Sequence, residues 1–215
     1  MANVRSIRAD REELHWQPTL LTAVADTATF DASFATARRV ALDDSAWVDH
    51  VSGWVDGADA LFEVVVADAP WEHRTVRMYD RMVEEPRLTA WYGHSLADPK
   101  VPAICAAMID TLRVRYGRAF DGVGAALYRD GHDSVAWHSD RVDPTLVEPV
   151  VAIVSLGSAR TLRMRPKAKG PTFPFTLLPG DLFVMGGATQ STWEHTVPKV
   201  ASAGARVSLQ FRHST

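Results

Sequence analysis

The chain has a single cysteine, no long apolar run and no excess of positive charge. With Cys105 alone among 215 residues, an internal disulfide is excluded and a reducing compartment is the fitting one. No stretch approaches the roughly 20 apolar residues of a membrane helix, and Met1–Arg8 lacks the apolar segment of a secretion signal. We therefore expect a cytoplasmic chain with no membrane attachment. The formal net charge of −3 is not that of a protein held to nucleic acid by bulk electrostatics, so any such contact has to be local. The length suits one domain with a substantial core, as in a barrel or sandwich, and a monomer is expected.

What is present divides into two halves. Residues 1–35 are weakly patterned and read as a partly mobile lead-in. Trp47, Val51 and Trp54 precede Asp56-Gly-Ala-Asp59, a turn with an N-cap for a helix over 58–67 that carries Leu61, Phe62, Val65 and Val66 on one side and ends at Pro70. A short strand over 74–79 leads to a loop, Met82-Val-Glu-Glu-Pro86, and then to the aromatic segment Pro86-Arg-Leu-Thr-Ala-Trp-Tyr-Gly93. Apolar residues at Ile104, Met108, Ile109 and Leu112 predict a second helix within 101–116, stopped by Gly117, with Cys105 as a small core residue.

From Val123 the period changes to short β runs separated by turns. These are Val123–Tyr128, Val135–His138, Val150–Leu156, Thr161–Arg165, Phe173–Leu177, Leu182–Met185, His195–Val197 and Arg206–Arg212. The pattern predicts a mainly β, α+β fold: an antiparallel barrel or double-sheet jelly roll buttressed by helices.

Candidate chemistry starts at Tyr128-Arg-Asp-Gly-His-Asp-Ser-Val-Ala-Trp-His-Ser-Asp140. Side chains at i and i+2 of a strand leave the same face, so His138 and Asp140 can close on one ion, with His195 as a third ligand. Two histidines and a carboxylate make the facial set of non-haem Fe(II) oxygenases. Alone, an HxD triplet is more often a solvated turn or a structural pair. In the last run, Arg206, Ser208, Gln210 and Arg212 alternate with Val207, Leu209 and Phe211. The polar face points either to solvent or into a lumen, where two guanidiniums need an anion such as a dicarboxylate. Arg160, Arg163, Arg165, Lys167 and Lys169 form either a phosphate-gripping strip or a solvated hairpin. Trp137 alternates away from His138 and reads as packing, and Trp193 faces either lumen or core. His15, His50, His73, His94, His132 and His213 have no ligand-like context.

Six linked segments raise these readings above a lone triplet: 86–93, 127–140, Ser155-Leu-Gly157, Gly187-Ala-Thr-Gln190, Trp193-Glu-His-Thr-Val-Pro-Lys199 and 206–212. In order and spacing, over residues 70–213, they resemble the AlkB family of Fe(II)/2-oxoglutarate dioxygenases, which remove alkyl lesions from nucleobases. The resemblance implies a double-stranded β-helix core and one domain over 1–215. Within it, 1–70 would be an extension and helix, 71–122 a substrate lid with a supporting helix, and 123–213 the catalytic core. It implies His138, Asp140 and His195 as iron ligands, Arg206 on the distal carboxylate of 2-oxoglutarate, Arg212 near its C1 carboxylate, and Tyr128 donating to it, with Ser208 beside them. Trp91 and Tyr92 are either stacking surface for a flipped base or core aromatics.

The implied co-substrates are 2-oxoglutarate and O2, and the implied partner is alkylated DNA or RNA in single-stranded form. The implied reaction is oxidative demethylation of 1-methyladenine and 3-methylcytosine types, with release of succinate, CO2 and formaldehyde. The chain departs from the family pattern at Ala126 and Ser208, where asparagine is frequent, and at Arg141, where an acidic residue is frequent. These departures motivate two competing readings: the same chemistry on tRNA, protein or a small molecule, and a non-catalytic sensor of damaged bases.

Overall fold

The computed structural model describes residues 14–15, 27–78, 80–92, 101–140, 142 and 145–213. Gly93, His94, Arg141 and most of the lead-in segment lie outside them. In chain order the elements are β1 (Thr29–Phe30), β2 (Ala37–Ala41), β3 (Ala46–Val51), β4 (Val55–Asp56), α1 (Ala58–Asp68), β5 (Glu72–Met78), β6 (Arg81–Trp91), α2 (Ile104–Tyr116) and β7 (Phe120–Tyr128). There follow β8 (Val135–His138), β9 (Val151–Gly157), β10 (Arg160–Pro166), β11 (Phe173–Leu177), β12 (Leu182–Gly187), α3 (Thr189–Thr192), β13 (Trp193–Val197) and β14 (Arg206–His213).

Eight strands form a major sheet in the order β2-β3-β12-β9-β14-β7-β6-β5, and four form a minor sheet, β11-β10-β13-β8. Val151, Ile153, Phe183 and Met185 of the major sheet pack against Leu162, Met164, Leu177 and Trp193 of the minor one. The fold is thus the mainly β, two-sheet jelly roll expected. The other face of the major sheet is covered by helices. Leu61, Phe62, Val65 and Val66 of α1 and Cys105, Met108, Ile109 and Leu112 of α2 share one cluster with Val207, Leu209 and Phe211. Each such side chain contributes about 1.5–3 kcal/mol by leaving water, which holds the sheet between helices and the second sheet. None of the described helices is long and apolar enough to cross a membrane.

Both helices fall where the apolar spacing places them, but their ends differ from simple capping. No side chain caps α1: Gly57, in the left-handed region at φ 68°, is its N-cap residue, a conformation that glycine adopts without strain. Gly117, at φ 61°, closes α2 by donating its N–H to the Arg113 carbonyl, as a left-handed C-terminal glycine does.

One expectation fails. The segment 82–86 is not a loop but part of the long strand β6. The β5–β6 register shifts between His73 and Thr75, so Glu84 pairs with Thr75 and Leu88 with His73. Residues 85–87 bulge out of the ladder, and Pro86 therefore forfeits no ladder hydrogen bond. The stretch before α1 also contains strands, with β2 and β3 extending the major sheet along β12.

Candidate metal and co-substrate centre

Strands β8 and β13 run antiparallel with His138 and His195 as register partners. This brings the two rings to 4.3 Å between centroids. Asp140 follows just past β8, and one ligand atom from each of the three residues lies within 4.8 Å of the others. Local hydrogen bonds set the geometry. Nδ1 of His138 is 2.9 Å from the Ala136 carbonyl; donating there, it turns the Nε2 lone pair toward the centre. Ser139 Oγ donates to the Trp193 carbonyl at 2.9 Å, and the Asp140 N–H donates to Gln190 Oε1 at 2.8 Å. These bonds tie the triplet to β13 and α3.

The electrostatics suit a cation. Burial pushes His195 down to about 4, so its imidazole is neutral at pH 7 and free to ligate. Burial alone would raise Asp140, but His195 and Arg212 outweigh it and hold the carboxyl below its usual range. Asp140 Oδ1 accepts from Arg212 Nη2 at 3.1 Å. Asp140 Oδ2, 3.7 Å from His195 Nε2, is buried with no hydrogen-bond partner among the described residues. Two imidazole nitrogens and one orphaned carboxylate oxygen fit Fe(II), which carboxylate–imidazole facial sets hold.

Next to the triad the polar face of β14 points inward, not to solvent. Arg206 and Ser208 are 1% and 3% exposed. Arg206 donates from Nε to Ser155 Oγ at 3.0 Å, its Nη1 is orphaned, as is Nε of Arg212, and burial lowers its guanidinium to about 10. An uncompensated buried cation such as Arg206 calls for an anionic ligand, and a dicarboxylate such as 2-oxoglutarate fits. Ser208 is the register partner of both Ala126 and Ser155, so the two small residues that replace frequent asparagines face each other across β7 and β14. Tyr128, 2% exposed, has Arg206, Arg160 and Arg87 at 5.4, 5.6 and 5.9 Å from its ring.

Two cavities meet at His138 and Asp140. The inner one, about 30 Å³, is lined by Tyr128, Arg206, Ser208 and Arg212. The outer one, about 290 Å³, lies between β6 and β8 and is bordered by Val83, Glu85, Pro86 and Arg87. Arg87 borders both. The sequence assigns it no role, although it sits in the segment 86–93, just past the stretch 82–86 that reads as a loop. Gln190 and Ser139 were likewise inside quoted segments without a role.

The remaining candidates separate clearly. Trp91 is 48% exposed, on the same face of β6 as Arg87, and lies flat over Gly122 and Gly124 of β7. Tyr92 is 5% exposed and belongs to the main core; neither aromatic borders the two cavities. Trp193 faces the core, donating Nε1–H to Asp43 Oδ2 at 2.6 Å. Trp137 packs beneath Arg165 at 4.0 Å. The basic strip is smaller than its sequence suggests. Arg160 is 4% exposed and donates to the carbonyls of Asp130, Asp133 and Pro198. Arg165 pairs with Glu194 at 2.6 Å, and Lys167 donates to carbonyls of α3.

The curated relatives of the chain include alkB homolog 3, an alpha-ketoglutarate-dependent dioxygenase, from Homo sapiens and Bos taurus. Each is 35% identical over 182 residues, covering 74% of this chain and 63% of the relative. A DNA oxidative demethylase, ALKBH2 of Arabidopsis thaliana, is 28% identical over 190 residues, covering 71% and 60%. The chain therefore spans less than two thirds of the length of these relatives. Among solved structures, a Pseudomonas putida prolyl-4-hydroxylase aligns with a TM-score of 0.43 at 23% identity, covering 59% of this chain and 72% of that one. The family model of the 2OG-Fe(II) oxygenase superfamily matches residues 56–212. That span takes in both triad strands and the arginine face of β14, and by it the chain belongs to the 2OG-Fe(II) oxygenase superfamily, with AlkB proteins as its curated relatives.

Proposed function

We propose that the protein demethylates N-alkylated nucleobases, of the 1-methyladenine and 3-methylcytosine type, in single-stranded DNA or RNA. The observation that carries this reading is the pair of cavities meeting at His138 and Asp140, one edged by unpaired guanidinium atoms and one, about 290 Å³, lined in part by Val83, Pro86 and Ala136. The superfamily's Fe(II), 2-oxoglutarate and O2 supply the oxidant. When bound, they would let one oxygen of O2 convert the keto acid to succinate and CO2 and the other hydroxylate an N-methyl carbon, giving a hydroxymethyl base that sheds formaldehyde.

The chain's own residues bind and orient. His138, Asp140 and His195 hold the metal. Arg206 and Tyr128 take the distal carboxylate of the keto acid, with Ser208 adjacent. Arg212 takes the other carboxylate once it turns away from Asp140 and Gln210, which its Nη2 now contacts. Ile153, Leu162, Val135 and Val197 close the inner cavity, keeping water from the oxidising centre. The target base has to leave its stack to reach the outer pocket. Trp91 offers it or its neighbour an aromatic face, while Tyr92 supports that strand from the core. With Arg160 buried inside the fold and Arg165 paired to Glu194 on its surface, this strip keeps fewer free cations to grip a duplex, which favours a single strand.

The test is product analysis on single-stranded oligonucleotides carrying one 1-methyladenine or 3-methylcytosine, with Fe(II), ascorbate and 2-oxoglutarate, beside His138→Ala. Succinate and formaldehyde should appear together and vanish in the variant. Succinate without formaldehyde would assign the centre to another substrate class.

A further inference from the structure

Arg87 borders both cavities and contacts both a proposed co-substrate residue, Tyr128, and a carboxylate of the outer pocket, Glu85. Its side chain is 12% exposed. Nη1–H donates to the Tyr128 hydroxyl at 3.0 Å, and Nε–H to Glu85 Oε2 at 3.3 Å. The other oxygen of Glu85 lies 4.0 Å from Arg74 Nε. Glu85 and Arg74 border only the outer pocket, and Tyr128 only the inner one. We propose that Glu85 and Arg87 form a coupling link, by which a base in the outer pocket tightens 2-oxoglutarate in the inner one. This rests on the function proposed above.

Three physical steps support the link. A hydroxyl that accepts from a charged donor becomes a stronger donor itself, so Arg87 on the Tyr128 oxygen strengthens the bond that Tyr128 gives to a carboxylate. A guest in the outer pocket removes water from Glu85 and Arg87, and charge pairs strengthen as the local dielectric falls. The arginine must be ordered for either ligand, and that loss of freedom is incurred once when both are present. The segment is also placed to respond, because residues 85–87 bulge out of the β5–β6 ladder. Glu85 and Arg87 are positioning residues here: they act through Tyr128.

Coupling of this kind is reciprocal, commonly about fivefold or more in affinity. The measurement is anaerobic calorimetric titration of 2-oxoglutarate into the Fe(II)-loaded full chain, with and without a single-stranded oligonucleotide bearing one 1-methyladenine. In the wild type the two Kd values should differ by at least about fivefold. In Glu85→Gln their ratio should fall to near one. Asp110→Asn, whose carboxylate is 72% exposed on α2 and pairs with Arg113, should keep the wild-type ratio. A merely structural role for Glu85 would shift both Kd values together and leave the ratio intact, which overturns the proposal. So does a wild type that demethylates the oligonucleotide with a ratio of one. A wild type that binds 2-oxoglutarate but neither binds nor demethylates the oligonucleotide overturns both this link and the function beneath it.

Discussion

Replacing Arg206 by methionine should stabilise the ligand-free protein while abolishing its response to 2-oxoglutarate. The guanidinium is 1% exposed, and burial brings it down to about 10 from its ordinary value above 12. At about 1.4 kcal/mol per pKa unit, keeping it charged there costs about 3 kcal/mol. Its hydrogen bond to Ser155 Oγ at 3.0 Å returns about 1 kcal/mol. Arg206→Met keeps length and apolar bulk and removes both contributions, for a net gain of about 2 kcal/mol. In a chain of this size that raises Tm by roughly 4–8 °C. With Fe(II) and 2-oxoglutarate at a hundred times Kd, the wild type gains about 2.7 kcal/mol by mass action, and the variant gains only what the metal provides. The order of the two melting curves should therefore reverse on adding the keto acid. A variant less stable than the wild type without ligand would refute the reasoning, since it would mean the fold itself already compensates the charge.

Other outcomes follow from single contacts. A Cβ at Gly122 would sit 2.6 Å from the Trp91 indole, so Gly122→Ala should push the ring off the sheet. A lost stacking surface should raise the oligonucleotide KM roughly tenfold and leave the 2-oxoglutarate KM in place; an unchanged oligonucleotide KM would remove Trp91 from the substrate wall. Arg160→Met leaves three carbonyls without their charged donor and should lower stability by about 3 kcal/mol or more, read as a shifted denaturant midpoint at constant m; a loss under about 1 kcal/mol contradicts its interior role. Asp43, lowered to about 2 by the Trp193 indole N–H and the Ser45 amide, has a folded pKa below its unfolded one. Its contribution is complete above pH 4 and disappears as pH falls through 2, so the stability gap between wild type and Asp43→Asn should close over that window and nowhere above it.

The sequence made the centre legible wherever strand alternation and chemistry agreed. The parity of Arg206, Ser208, Gln210 and Arg212 against three apolar residues holds within β14, whereas His138 ends β8 and Asp140 lies just past it, so that pair closes at a strand end and not inside a strand. The same parity was available at Arg160, which shares its face with Leu162 and Met164 while Arg163 and Arg165 point outward. Counting charges along the hairpin obscured it. Arg87 was illegible because Pro86 and two glutamates read as a loop, and only the β5–β6 bulge reconciles them with a strand. β2 is almost wholly exposed and β3 buried on both faces, so neither shows the alternation by which strands are recognised.

The central claim is that the chain restores a methylated base, and the mass of the oligonucleotide tests it most directly. After incubation of a single-stranded 1-methyladenine oligonucleotide with Fe(II), ascorbate and 2-oxoglutarate, its mass should fall by one methylene. The fall should match formaldehyde released one for one, and should not occur with His138→Ala. An unchanged mass while succinate accumulates, or a stable gain of one oxygen, would contradict the account.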